Sequence, residues 1–465
     1  MRWPRTDILR RPGPAIPLLW SVALTAAFAV AYAPQGWPLV DMSVLFASAA
    51  GNDWPQTLVD AFGRGREYRP LQVVLTKLLY QVGGVTLWFY KSLILLQFAA
   101  ILAVVVWLLR PTGWPRTVSA VVAVCCVAGL PSSQILLALF PGNIYSLATL
   151  VVIGTAALAL HPPMRAVDWG FLPLTLIGLL LLELGVIVPA VLTVLWLTRA
   201  PGVSGRGVGA SWVALAVYAG IRLSLGNSAD GLQYVESGLG FADASRAELG
   251  ELFANAPYLF ALYNVAASTL TILLSEPRAG KFKFIESLLV GNTPVWLWFH
   301  VASSALTTVV VGSLIATHKR LTSRDRQLAA LGVTLIVGSS ALAFLYTRDR
   351  IAVMAGIGYA LLLAVALATL SERVREQRWG RCLVGITVVL LAGGWTVRDG
   401  ETWLRVRDTA WETYLEWTDR YDSLGGGQPS DLLDGLRSSV LTRVPDDPRD
   451  DPSWTYTFFE REISR

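Results

Sequence analysis

The segment 169–198, WGFLPLTLIGLLLLELGVIVPAVLTVLWLT, constrains this chain more than any other feature. A helix needs ~20 mostly apolar residues to cross a bilayer, and this run is too long for one straight span. Its middle holds Glu183, Gly185 and Pro189. A carboxylate at that depth is costly and marks a functional candidate by default. Gly and Pro break helices, and broken helices occur in membranes where they line a protein cavity. Two short helices meeting at Glu183 are therefore expected. Glu183 is either functional or a carboxylate that satisfies N–H groups freed by the break.

Ten further apolar runs cover 15–33, 85–109, 117–132, 143–160, 208–226, 256–275, 294–317, 327–346, 351–371 and 381–397. The fold class expected is an all-α polytopic membrane protein. It would have about 11–12 transmembrane helices, counting the broken or re-entrant pair, and a small soluble carboxyl-terminal extension. Composition agrees: 15% of residues are charged and mean hydropathy is +0.52, whereas soluble domains carry about 25% charge. The domain expectation is a transmembrane unit over 1–397, with a first outer loop at 34–84, and an outer-face extension over 398–465. In that extension ETWLRVRDTAWETYLEWTDRY (401–421) places Trp403, Val406, Ala410, Trp411, Tyr414, Leu415 and Trp417 at helical spacing.

Charge sets the sidedness, because cytoplasmic loops collect Lys and Arg. Arg2, Arg5, Arg10 and Arg11 precede the first span and place the amino terminus in the cytoplasm. If 169–198 is a hairpin, Arg199 and Arg206 fall inside and the acidic-leaning loop 227–255 falls outside. Working back from SERVREQRWGR (371–381) then makes 256–275 re-entrant or laid along the outer face. One span over 169–198 would instead let 256–275 cross, but would put Arg199 and Arg206 outside.

Several function classes are excluded or weakened. The net charge of +5 is not gathered into a basic patch interleaved with aromatics, so nucleic acid is not an expected partner. Cys125, Cys126 and Cys382 have neither disulfide nor zinc spacing. With only His161, His300 and His318, no all-protein metal site is expected, though carboxylates could hold a hard divalent cation. No GxxxxGK[ST] or strand-linked GxGxxG offers a nucleotide site. Only five lysines accompany the arginines (Lys77, Lys91, Lys281, Lys283 and Lys319). Such usage fits a high-GC bacterium and hence a cytoplasmic (inner) membrane.

The chemistry-bearing residues gather on the outer side of this topology. Asp41 follows the first span at the membrane–water boundary. It can serve as a general base or cap an amphipathic helix over 42–50. GREYRPLQVVLTKLLY (65–80) brings Tyr68 and Arg69 to the start of a helix opened by Pro70. Arg beside a helix amino terminus suits a phosphate, and the same pair could simply anchor the boundary. Arg222, Arg348 and Arg350 lie at outer ends of spans. Arg278, Lys281 and Lys283 form an outer basic patch that could meet a phosphate or lipid headgroups.

The order of these pieces resembles the integral-membrane glycosyltransferases of the C-type fold, which use polyprenyl-phosphate sugars. The matching pieces are an acidic residue after the first span, YRPL opening a helix, and the Glu183–x–Gly185–x–x–x–Pro189 break. Tyr218 and Arg222 in AVYAGIRLSLG follow, then the late arginine turn of LYTRDRIAVMAGIGYALLLA. Over residues 1–400 the resemblance implies transfer of a sugar from a polyprenyl-phosphate donor to a glycan, lipid or protein acceptor on the outer face. Asp41 would be the base. Arg69, Arg222 and Arg348 would bind phosphate, supported by Tyr68, Glu183 and Lys281. The chain departs from the pattern in two places: Asp41 stands between Val40 and Met42 rather than in an acidic pair, and Lys91 and Gln97 replace a second-span His. Two other classes stay open: a lipid or small-solute transporter or flippase, and a non-catalytic cell-envelope assembly protein.

Overall fold

The structure is a computed structural model that describes residues 13–32, 53–63, 68–84, 87–129, 139–161, 167–225, 246–274, 287–291, 293–342 and 353–423. Among the described residues there is no strand. The helices are α1 (Ala15–Tyr32), α2 (Trp54–Gly63), α3 (Pro70–Gly83), α4 (Leu87–Leu109), α5 (Trp114–Ala128), α6 (Leu139–Ala159), α7 (Val167–Leu181), α8 (Ile187–Leu197) and α9 (Gly205–Ser224). They continue with α10 (Arg246–Leu252), α11 (Pro257–Leu274), α12 (Val295–Thr317), α13 (Ser323–Leu342), α14 (Val353–Arg373) and α15 (Arg378–Ser423). Among the described residues, five stretches are long and apolar enough to cross a membrane: Trp88–Leu109, Gly205–Ser224, Leu297–Arg320, Val353–Arg373 and Arg378–Glu401. An all-α polytopic membrane protein is the class these helices fit.

The segment 169–198 folds as a hairpin. α7 ends at Leu181, Glu183–Val186 form one 3-10 turn, and α8 runs back. Hydrogen bonds fix the return. At the start of α9, Ser204 donates its N–H (3.1 Å) and hydroxyl (2.7 Å) to Asp168 at the start of α7. Residues 168 and 204 thus share one end of the bundle, while Glu183 meets Arg222 at the other. The turn depends on glycine: a Cβ on Gly185 would lie 2.3 Å from the Gly178 carbonyl carbon and from the Leu179 nitrogen. Pro189 sits in the first turn of α8, where a missing N–H costs no helix bond.

One end of the bundle is braced by side chains capping helix termini. Arg324 donates to the carbonyls of Leu108 (2.8 Å) and Leu160 (3.2 Å), and Gln327 to that of Thr198 (3.3 Å). These are the carbonyls that helix carboxyl ends leave without intrahelical partners. Asp325 takes a paired bond from Arg116 (2.8 and 3.0 Å) and another from Thr322, which in turn caps the start of α13. α14 forms the axis of the bundle, buried from Val353 through Ala368. It crosses α13 at Gly332 and Gly358, where a Cβ on Gly358 would lie 2.4 Å from the Gly332 carbonyl oxygen. Small residues permit this approach of two backbones.

Two expectations take a more definite form. α11 is one unbroken 18-residue helix packed against α12, α13 and α14. Its reading as re-entrant turns on 275–286, outside the described residues. The expected boundary at 397–398 coincides with no break, because α15 runs through it for 46 residues, about 69 Å. The helix anticipated over 401–421 is the continuation of the last apolar helix. Its Trp403 is buried with its ring 5.2 Å from that of Phe28 on α1.

Candidate functional site

Five of the anticipated residues, Tyr68, Arg69, Glu183, Tyr218 and Arg222, converge where α3, the 3-10 turn and α9 meet. Glu183 opens that turn. Arg69 precedes Pro70 and reaches Glu183 across 114 residues of sequence. Its Nε lies 3.1 and 2.9 Å from the two carboxylate oxygens, and its Nη2 lies 2.9 Å from Oε2. Arg222, in the last turn of α9, approaches the same carboxylate from the other side at 3.5 Å. It also donates to the Tyr218 hydroxyl at 3.3 Å. That hydroxyl donates to the Tyr68 backbone carbonyl at 3.2 Å, and the two tyrosine rings lie 5.9 Å apart. Tyr68, Tyr218 and Leu179 form a small apolar floor, separate from the main core.

The exposures decide what such a cluster can do. Tyr68 and Tyr218 are 4% and 3% exposed, whereas the side chains of Arg69, Glu183 and Arg222 are 24%, 26% and 37% exposed. The tyrosines hold position while the charges reach the surface. Two guanidiniums share the one carboxylate of Glu183. Arg222 is flanked by exposed Ile221, Leu223 and Leu225, so its charge stands at the rim of an apolar face.

Two alternatives raised by the sequence are now separated. Glu183 does not satisfy the N–H groups of the break. The Gly185 N–H goes to the Leu182 carbonyl and the Ile187 N–H to the carbonyls of Leu184 and Gly185. Its oxygens serve the arginines instead. The amino terminus of α3 supplies fewer donors than expected, because Pro70 has no N–H and those of Gln72 and Val73 bond back to the Arg69 carbonyl. Anion binding at this spot would therefore fall to side chains.

Asp41, Arg348 and Lys281 lie outside the described residues, as do Arg278, Lys283 and Arg350. Among the described residues, no group of three or more His, Cys, Asp or Glu side chains could hold a metal ion. Lys91, noted at the sequence level, is 1% exposed, with its ammonium 5.0 Å from the centre of the Trp88 ring. Sequence reasoning missed a second ionisable group, Arg398, Asp399, His300 and Glu401, between α12 and α15. Its signal was the spacing Trp395–Asp399–Trp403, one helical face carrying two tryptophans around a carboxylate. Comparison of the chain with protein-family models, with curated proteins and with solved structures returns no match.

Proposed function

We propose that the chain is a membrane-embedded glycosyltransferase of the C-type fold. It would transfer a sugar from a polyprenyl-phosphate donor to an acceptor at the outer face. The observation that carries this reading is the clasp of Arg69 and Arg222 on Glu183. It is a pre-positioned pair of guanidiniums, partly exposed, at the rim of an apolar helix face. A lipid phosphate needs both features: a charged fork for the phosphate and apolar surface beside it for the prenyl chain. The arginine-rich loops around 110–116, 199–206, 318–326 and 373–381 lie at the opposite end of the bundle. By the positive-inside rule that end would face the cytoplasm, which supports an outer position for the clasp.

In the mechanism proposed, the donor phosphate rests on Arg69 and Arg222, joined by Arg348. Lys281 supports the lipid phosphate from the basic patch. Asp41 takes the proton from an acceptor hydroxyl, whose oxygen bonds to the anomeric carbon. The bond from that carbon to the phosphate oxygen breaks, and polyprenyl phosphate leaves with its new negative charge stabilised by the arginines. A single displacement inverts the anomeric centre. Glu183 is a positioning residue that sets the spacing of the two guanidiniums.

The test incubates the purified chain with radiolabelled polyprenyl-phosphate hexoses and pentoses, comparing wild type with Asp41→Asn and Arg69→Ala. Sugar release that falls at least ~100-fold in both variants, with donor binding lost only in Arg69→Ala, is the expected result. Full turnover by folded Asp41→Asn overturns the assigned base. No binding of any donor overturns the reading as a whole.

A further inference from the structure

Asp399 is fully buried, with 0% exposure, and neither carboxylate oxygen has a hydrogen-bond partner among the described residues. Arg398 beside it is equally buried, yet its guanidinium is directed to α12. There it donates to the Ser304 hydroxyl (2.7 Å) and the His300 carbonyl (3.2 Å), and it lies 4.3 Å from the Trp395 ring centre. Asp399 points the other way, to the carboxyl end of α5. Its Oδ1 lies 2.5 Å from where a Cβ on Gly129, the residue closing that helix, would sit. A carboxylate there would face the negative end of a helix dipole. Acceptor would face acceptor in a site closed to bulk solvent, a costly arrangement for a buried charge.

Two ligands could relieve this: a cation or a proton. A cation needs a shell of several oxygens with room between them. Here the Trp395 ring lies 3.0 Å from the same Gly129 Cβ position, so protein already fills the contact. The other ionisable groups nearby do not supply a donor to it. Cys125 and Cys126 face it from α5, His300 is engaged with Glu401 at 3.0 Å on α12, and Tyr359 on α14 bonds to Thr308 and Ser304. On α1 the one titratable side chain among the described residues is Tyr32, at its last position.

We propose that Asp399 is a proton-binding site: it sits in the bundle as the neutral acid, and losing its proton to water requires α15 to part from the carboxyl end of α5. The neutral acid gains an O–H donor at the carboxyl end of α5. The ionised form has none, so deprotonation and separation of the two helices are one event.

Infrared difference spectroscopy on the full chain in nanodiscs tests this. Wild type at neutral pH should show a protonated carboxylic-acid carbonyl band that shifts in deuterated water and is missing in Asp399→Asn. That substitution keeps shape and neutrality, so the melting temperature should stay within about 2 °C of wild type. If the band is missing from wild type, Asp399 is ionised and the proposal fails. A collapse of folding in Asp399→Asn says the same, because it would mean that Arg398 had lost a needed counter-charge. A melting temperature raised by sodium or calcium in wild type and not in Asp399→Asn would identify a cation site and overturn the proton.

Discussion

Both ends of this bundle carry arginine–carboxylate clusters, and the two differ in how their charge is spent. At the braced end, Arg116 meets two carboxylates, Asp325 and Glu372, and Arg324 is used on helix carbonyls. Arg116 is matched by carboxylates and Arg324 is directed at the backbone, as a structural joint requires. At the clasp, two arginines meet one carboxylate and remain partly exposed. A joint gains nothing from guanidiniums left at a surface, whereas a site for an anion needs them within reach. Mutations should therefore act on stability at one end and on ligand handling at the other.

The largest effect should come from Asp325→Ala. Its side chain is 5% exposed and joins Arg116, Thr322 and the start of α13. Removing one partner of a buried pair costs about 3 kcal/mol. A fall in melting temperature in detergent, with donor binding by the folded fraction intact, is the expected outcome. If binding falls and stability does not, the contrast between the ends is wrong.

Gly185→Ala comes next. The new methyl would press on the backbone of Gly178 and Leu179, which cannot rotate away. Overpacking of this kind costs about 2 kcal/mol. Because Glu183 lies on the same turn, both melting temperature and donor affinity should drop, the only case among these where they fall together.

Glu183→Gln sharpens the comparison further. It removes the negative charge that Arg69 and Arg222 share but keeps the shape. Donor KM should not rise, since a negative charge is removed from beside the phosphate, while kcat falls about tenfold because the fork is no longer held, a loss of about 1.4 kcal/mol in transition-state stabilisation. A KM that rises with kcat unchanged would mean that Glu183 itself touches the ligand.

Much of this was legible in the sequence, for identifiable reasons. Hydropathy marks the helices because each needs a long apolar stretch, and Gly185 with Pro189 marks the break because backbone geometry demands them. Charge counting pointed to the hairpin through Arg199 and Arg206, and the Ser204–Asp168 bonds bear it out. What local pattern cannot give is pairing at a distance: nothing near Arg69 announces a partner 114 residues on. The boundary at 397–398 coincides with no break for a related reason. Arg398 and Asp399 end the apolar run, and charge at the end of a span usually means water. Here α12, α5 and α1 close over them, so the helix continues and the charges are buried.

The smallest effect concerns His161, just beyond α6 at the braced end, against Arg110. Burial, with Arg110 and Arg324 nearby, holds its pKa below the usual value of 6.5. The ring is therefore neutral in the folded chain under conditions where the unfolded chain would already be protonated. Above about pH 6.5 both states are neutral and the residue is silent. As pH falls through that value the unfolded state takes up the proton first, so folding weakens, until the folded ring is protonated too. The difference in melting temperature between wild type and His161→Gln should open only below about pH 6.5, with wild type losing ground. Donor affinity should show no such pH-dependent difference between the two proteins, because the residue belongs to the end that holds the bundle together.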